Sequence, residues 1–359
     1  MPTLTDQPLV DERRLQALIG KAVDDLGATL STAMISLGDR LGLFRALASG
    51  GAATPAELAV RTTTDERYVR EWLAACAAGG YVEYDPESAR FWLSTEQRIA
   101  LTDETSPFCV TGGFEAIIAA MRAEPAIAER FRTGDGFAYG DHDPRLFEGT
   151  ERFYGVGYAA QLVPSWIPAL DGVEDKLRAG GRAADVGCGH GVATIVMGRA
   201  FPASTFVGYD SHAPSIARAT ALATQAGVAE RVRFEVATAT GFPAEGFDLV
   251  DHFDSLHDVG DPLGAARRVR TALDSDGTWL IVEPQAHDRL QDNLNPIGRL
   301  FYGASTLICT PHALSESSGS ALGGQAGEER IRAIVEEAGF TRFRRATETP
   351  FNLVFEARP

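Results

Sequence analysis

From Ala183 to Glu283, five short apolar-rich runs alternate with helical segments, and that alternation leaves few folds open. The runs are Ala183–Val186, Thr205–Tyr209, Val232–Val236, Asp248–Phe253 and Trp279–Glu283. Each is the length of a strand, and their apolar content suits strands buried on both faces. Between them, Val192–Ala200, Pro214–Ala226 and Pro262–Leu273 carry helical spacing. Strand–helix alternation of this kind predicts an α/β domain with a parallel sheet and helices on both faces. Two later runs, Phe343–Arg345 and Phe351–Ala357, are expected to bring the sheet to seven strands.

The first third of the chain reads differently. Residues 11–48 keep helical apolar spacing, including Leu15, Leu26, Leu37 and Phe44. Thr54-Pro55-Ala56-Glu57 opens a helix with a capping box, and Thr64-Asp65 caps another that Gly79-Gly80 ends. Two short strands then flank the turn Asp85-Pro86-Glu87-Ser88. Helices followed by a small hairpin are the order of a winged helix. The expected division is a mainly α winged-helix domain over 1–110, a helical connector over 111–175, and the α/β domain over 176–359. In the connector, about 134–150 reads as loop, and Arg152 to about Leu170 as an amphipathic helix interrupted by Pro164. A long insertion, about 284–327, with a Ser/Gly-rich stretch from Ser315 to Gly327, reads as a lid.

Charge narrows the partners. The chain carries 33 basic and 49 acidic residues, a net charge of −16, which opposes phosphate backbones and anionic leaflets. Over residues 30–105, 7 Arg face 11 acids with no Lys, a net −4, so the winged helix is poorly suited to DNA. No apolar run approaches a membrane span, and Met1–Asp6 has no secretory pattern, which predicts a cytoplasmic protein. Cys76, Cys109, Cys188 and Cys309 are scattered without a C-x-x-C pair, against a disulfide framework or structural zinc.

The most informative motif is Asp185-Val186-Gly187-Cys188-Gly189-His190-Gly191, between the first strand and its helix. Glycines there let backbone approach a ligand at the positive end of a helix, although an ordinary tight turn needs them too. The third glycine comes one residue too early for a dinucleotide fingerprint, which argues against a nicotinamide enzyme. An acid, Asp210, ends the second strand and is placed to accept ribose hydroxyls. The spacing D-x-G-x-G-x-G resembles motif I of class I S-adenosylmethionine-dependent methyltransferases. With the winged helix, the whole chain resembles the plant-like O-methyltransferases and the bacterial α-keto-acid C-methyltransferases.

That resemblance implies a Rossmann-like seven-stranded domain, an S-adenosylmethionine cofactor and a small-molecule acceptor. It assigns the cofactor to Asp185, Gly187, Cys188, Gly189, Gly191, Asp210, Ser211, Thr238, Ala239, Phe253 and Asp254. The family's acid after the third strand is absent; Thr238 offers a hydroxyl instead, and Phe242 a ring for adenine. His257-Asp258 after the fourth strand matches the family's His-Asp pair, with Val259 where Trp is usual, and makes His257 a candidate base. His312 on the insertion stands where keto-acid C-methyltransferases place a His, so His257, Asp258 and His312 offer a two-His, one-carboxylate site for a divalent metal. A hydrogen-bonded lid His, or a second acid/base, is the alternative. Arg152, Tyr154 and Tyr158 are candidates for holding the acceptor; His190, His212, His252 and His287 are expected to be structural or solvent-facing. The long N-terminal apolar face predicts a homodimer, and a winged-helix regulator that binds S-adenosylmethionine is the competing function.

Overall fold

The computed structural model describes residues 10–316 and 320–359. Met1–Asp6 and residues 317–319 of the Ser/Gly-rich stretch lie outside the described residues. Two compact units result, one running up to Asp103 with Phe108–Phe114, the other formed by Glu104–Pro107 and Glu115–Pro359.

In the first unit the helix Glu12–Arg40 starts at Asp11, whose carboxylate accepts the N–H groups of Arg13 and Arg14. The single helical run expected over 11–48 is broken. Gly42 adopts a left-handed φ of 70°, and a second helix, Leu43–Gly50, follows it. Pro55–Thr62 begins with the Thr54/Glu57 capping box, and Glu66–Ala78 begins with Asp65. Strands β1 (Glu83–Asp85) and β2 (Arg90–Trp92) form the antiparallel hairpin. Phe44 meets Trp72 edge-on at 5.0 Å in a core with Ile35, Leu47, Leu58 and Leu73.

The second unit is built on seven strands: β3 (Arg182–Val186), β4 (Thr205–Asp210), β5 (Val232–Val236), β6 (Phe247–Phe253), β7 (Leu273–Pro284), β8 (Arg342–Glu348) and β9 (Asn352–Arg358). Their order is β5-β4-β3-β6-β7-β9-β8; neighbours are parallel through β7, and the last two pairings are antiparallel. Successive residues feed opposite cores. Ala183, Phe206, Leu249 and Leu280 pack on one face, and Ala184, Val207, Val250 and Ile281 on the other. That double burial is why the strands are legible as apolar runs. The strand order reverses between β3 and β6, where sheets of this kind open a crevice at their carboxyl ends.

Part of the segment expected as loop is helical. Asp143 accepts the Arg145 N–H at 3.1 Å and starts the helix Arg145–Gln161, which passes into a π-helical turn, Leu162–Trp166, around Pro164. The insertion after β7 is also ordered into helices, Pro296–Ala304 and Thr310–Ser315, joined by the π-helical turn Ser305–Cys309.

Candidate active site

The glycine loop leaves β3 with Gly187, Gly189 and Gly191 at φ of 77°, 52° and 75°, a region that side chains resist. The N–H groups of Gly187 and Cys188 donate to Tyr209 O at 2.8 and 3.0 Å, pinning the loop to β4. A Cβ at Gly191 would intrude on the Phe234 ring, whereas one at Gly189 would meet nothing within 4 Å. Gly191 therefore packs, and Gly189 faces open space. Asp210 braces the turn: its two oxygens accept the N–H groups of Gly189 at 2.9 Å and His212 at 2.8 Å.

A cavity of about 440 Å³ opens beside this loop. Of the residues the resemblance assigns to the cofactor, Asp185, Gly187, Cys188, Gly189, Asp210, Ser211, Ala239, Phe253 and Asp254 line it. Gly191 and Thr238 do not; the Thr238 hydroxyl is exposed and faces Thr240 at 3.4 Å. Phe242 is fully buried against Tyr209, at 5.4 Å between centroids, so it belongs to the core and offers no ring to adenine.

Helical geometry decides which connector residues reach the cavity. Phe147, Glu151, Tyr154 and Tyr158 share one face at spacings of three and four, and all line it. Arg152 projects elsewhere, and its guanidinium pairs with Glu104 at 2.9 Å and Glu115 at 3.1 Å. The expectation that Arg152 holds an acceptor is corrected accordingly. His190 and His212, expected to be structural or solvent-facing, line the cavity, with His190 Nδ1 2.7 Å from Glu151 and His212 stacked on Phe147. His252 is structural: its Nδ1 accepts the Trp279 indole N–H at 3.1 Å, and burial pushes its pKa down to about 3.

His257 occupies the single turn Leu256–Asp258 after β6 and is 4% exposed. Its Nδ1 lies 2.6 Å from Glu283 Oε2, and its backbone N–H donates to Glu283 Oε1 at 3.3 Å. Nε2 lies 3.3 Å from Asp258 Oδ1. Burial alone would lower the pKa of His257, but the carboxylates of Glu283 and Asp258 outweigh it and hold the imidazole well above its usual value. Glu283 was missed in the sequence, although an acid closing the run Trp279-Leu280-Ile281-Val282 is the signal that marks it.

The metal-ligand grouping differs from the one expected. His257, Asp258 and Cys309 bring one ligand atom each within 4.8 Å of one another, without His312. His312 lines the same cavity, but its Nδ1 accepts the Tyr139 N–H at 3.2 Å. The residue that sequence reasoning passed over is Cys309, one helical turn before His312 on the same insertion.

Two buried carboxyls complete the picture. Asp185 and Asp251 stand opposite one another on β3 and β6, and burial raises the pKa of both. Asp254, in a left-handed conformation at φ 49°, accepts the Tyr158 hydroxyl at 3.0 Å and the Asn352 amide at 2.9 Å.

Residues 28–103 match the family model of an Rv2258c-like winged HTH domain, and residues 177–339 match that of a methyltransferase domain. The chain carries a methyltransferase domain behind an N-terminal winged-HTH domain. The 27-O-demethylrifamycin SV methyltransferase of Amycolatopsis mediterranei is 30% identical over 160 residues, 44% of this chain and 47% of that relative. The match thus spans about half the relative's length. Among solved structures, the mitomycin 7-O-methyltransferase MmcR is similar with a TM-score of 0.70 at 21% identity, covering 97% of this chain and all of that one. Human N-acetylserotonin methyltransferase in complex with SAM is similar with a TM-score of 0.69 at 17% identity, covering 99% of both chains. At these identities the likeness is one of fold. No helix among the described residues is long and apolar enough to cross a membrane.

Proposed function

We propose that this protein transfers the methyl group of S-adenosylmethionine to a hydroxyl or acidic carbon of a small molecule. The observation that carries the reading is that one cavity joins an open glycine cradle to a buried His–Glu pair. The fit to the cofactor rests on Gly189, where a Cβ would project into empty space, and on Asp210 at the end of β4. When bound, the cofactor supplies a methyl already activated on a positively charged sulfur.

The chain's part is to exclude water, orient the acceptor and take its proton. Glu283 on Nδ1 fixes the imidazole and leaves Nε2 as the atom that accepts the acceptor's proton. Glu283 is a positioning residue in this scheme. Tyr154 and Tyr158 supply the wall beside Asp254. We place the cofactor on the 176–359 domain, pocket walls on the 111–175 connector and self-association on the 1–110 domain. A winged-helix regulator is disfavoured by the charge of residues 30–105.

One observation favours a second reading. His257, Asp258 and Cys309 group as a metal would need, and Glu283 on the far nitrogen of His257 is a common support for a ligating imidazole. In that reading a divalent ion would be held by those three residues and would polarise the acceptor.

The deciding experiment is calorimetry with S-adenosylhomocysteine, followed by a methyl-transfer assay with labelled S-adenosylmethionine against a panel of phenols and keto acids. Saturable binding with transfer to a panel member supports the function. No binding of the demethylated cofactor would sink it.

A further inference from the structure

The charge pattern of the cavity bears on what it accepts. Among the described residues no Lys or Arg lines it, whereas six carboxylates do. Three are committed at the glycine-loop end: Glu151 to His190, Asp185 to Thr194, and Asp210 to the N–H groups of Gly189 and His212. Glu316 accepts the Gly260 N–H at 2.6 Å, and Asp258 faces His257. Asp254 differs from all of these. Its oxygens accept only from neutral donors, the Tyr158 hydroxyl and the Asn352 amide. The nearby cation, His257, is already matched by Glu283 and Asp258.

The walls around Asp254 are aromatic. Tyr154 stacks on Tyr158 at 6.0 Å between centroids, and Tyr158 meets Phe253 at 5.4 Å. Among the described residues the Tyr154 hydroxyl has no hydrogen-bond partner, although it stands on the cavity wall. A carboxylate set among aromatic faces is the chemistry that recognises an ammonium: the carboxylate attracts the charge and the rings attract it without hydrating it.

We propose that the acceptor carries a protonated amine, held between Asp254 and the rings of Tyr154 and Tyr158, and that acceptors bearing a carboxylate or phosphate are turned away. This rests on the methyltransferase reading and narrows its substrate class. An anionic acceptor would bury its charge among like charges, with Arg152 drawn off by Glu104 and Glu115. Burial, with Glu283 adding to it, pushes the Asp254 carboxyl up to about 7, the behaviour of a buried acid awaiting a counter-ion.

The test uses the full chain saturated with S-adenosylhomocysteine and three phenols that share one ring. They are tyramine, 4-ethylphenol and 3-(4-hydroxyphenyl)propionate, titrated by calorimetry with and without added zinc. Tyramine is expected to bind about tenfold more tightly than 4-ethylphenol, the scale of a desolvated cation–π contact, and the propionate not at all. Asp254→Asn should erase the tyramine advantage at saturating S-adenosylhomocysteine, with the melting temperature reporting that the variant folds. Tyr154→Leu should weaken tyramine more than 4-ethylphenol. The proposal is overturned if tyramine fails to bind, or if the propionate binds as well as tyramine, with or without zinc. It is overturned too if Asp254→Asn keeps the tyramine preference but weakens S-adenosylmethionine relative to S-adenosylhomocysteine, because Asp254 then serves the donor's sulfonium. Failure of S-adenosylhomocysteine to bind strikes the methyltransferase reading instead, and the charge preference is still read on the unsaturated protein.

Discussion

His257 Nδ1 lies 2.6 Å from Glu283 Oε2 across the ends of two neighbouring parallel strands, with both side chains almost wholly buried. As a base His257 must be neutral, yet Glu283 and Asp258 hold its pKa well above the usual value. Turnover should therefore rise with pH through that elevated pKa. His257→Ala should lower turnover by about 10²–10⁴-fold, the range of positioned proton transfer, with cofactor affinity nearly intact. Glu283→Gln removes a negative charge from beside the imidazolium, so the pKa falls and the acid limb of the profile moves to lower pH while the maximal rate drops. An unmoved acid limb in Glu283→Gln would remove the positioning role, and full activity in His257→Ala would remove the base.

Two glycines of one loop should fail in different ways. Gly189→Leu puts a side chain into open space at a left-handed backbone position, so it should cost less melting temperature than a clash would while S-adenosylhomocysteine no longer binds. Gly191→Ala instead drives a Cβ into the Phe234 ring at a left-handed backbone position. Its main effect should be a lower melting temperature, with loss on the order of 1–3 kcal/mol. Equal calorimetric affinity in Gly189→Leu and the wild type would contradict the cradle.

The strands were legible because Ala183/Ala184, Phe206/Val207 and Leu249/Val250 each serve two cores, which leaves an apolar signature. The glycine loop is legible because a tight strand–helix turn needs glycines at fixed spacing, and His257 is singled out by the resemblance; the structure brings both to one cavity. What stayed hidden depends on contacts distant in sequence. Glu283 acquires its role only because β6 and β7 are neighbours, and Cys309 only because the insertion folds back onto His257. Arg152 looked available until Glu104 and Glu115 closed on it. Phe242 looked like a ligand ring, yet an aromatic in a strand-following loop packs as readily beneath Tyr209.

The Asp185–Asp251 pair should leave a mark on stability. Burial raises both carboxyls, so the native state keeps a proton that the unfolded chain releases near pH 4. A raised acid binds more protons folded than unfolded, and stability then falls as pH rises from about 4 towards the native pKa. One such proton is worth about 1.4 kcal/mol per pH unit. Asp251→Asn puts a neutral amide of the same shape in place of one of the two raised carboxyls. Melting temperatures from pH 5 to 8 should therefore fall less steeply in the variant; identical slopes would deny the pairing.

The helix Glu12–Arg40 exposes Leu15, Leu18, Ile19, Val23, Leu26, Leu30 and Leu37, a stripe long enough to require cover. We expect a second copy of the chain to provide it. Light scattering should give a dimer at micromolar concentration, and Leu18→Glu with Leu26→Glu should give a folded monomer. A wild-type monomer would remove the assignment.

The base and metal readings separate at Cys309. As a base, His257 needs only Glu283 behind it, and Cys309 is a buried neighbour that contributes packing. Cys309→Ala should then keep turnover within a few-fold, EDTA should not inhibit, and elemental analysis of the purified protein should find no stoichiometric divalent ion. As a metal ligand Cys309 supplies one of only three grouped donors, and its loss would take metal and activity together. We take the base reading first because it needs only the His257–Glu283 contact, which the structure has in place. Glu283 on Nδ1 would equally support a ligating imidazole, and the 3.3 Å between Nε2 and Asp258 Oδ1 also suits two donors on one ion, so the Cys309 variant is what separates the readings. Stoichiometric metal that is lost with activity in Cys309→Ala would reverse that choice and make Glu283 the outer support of a ligating imidazole.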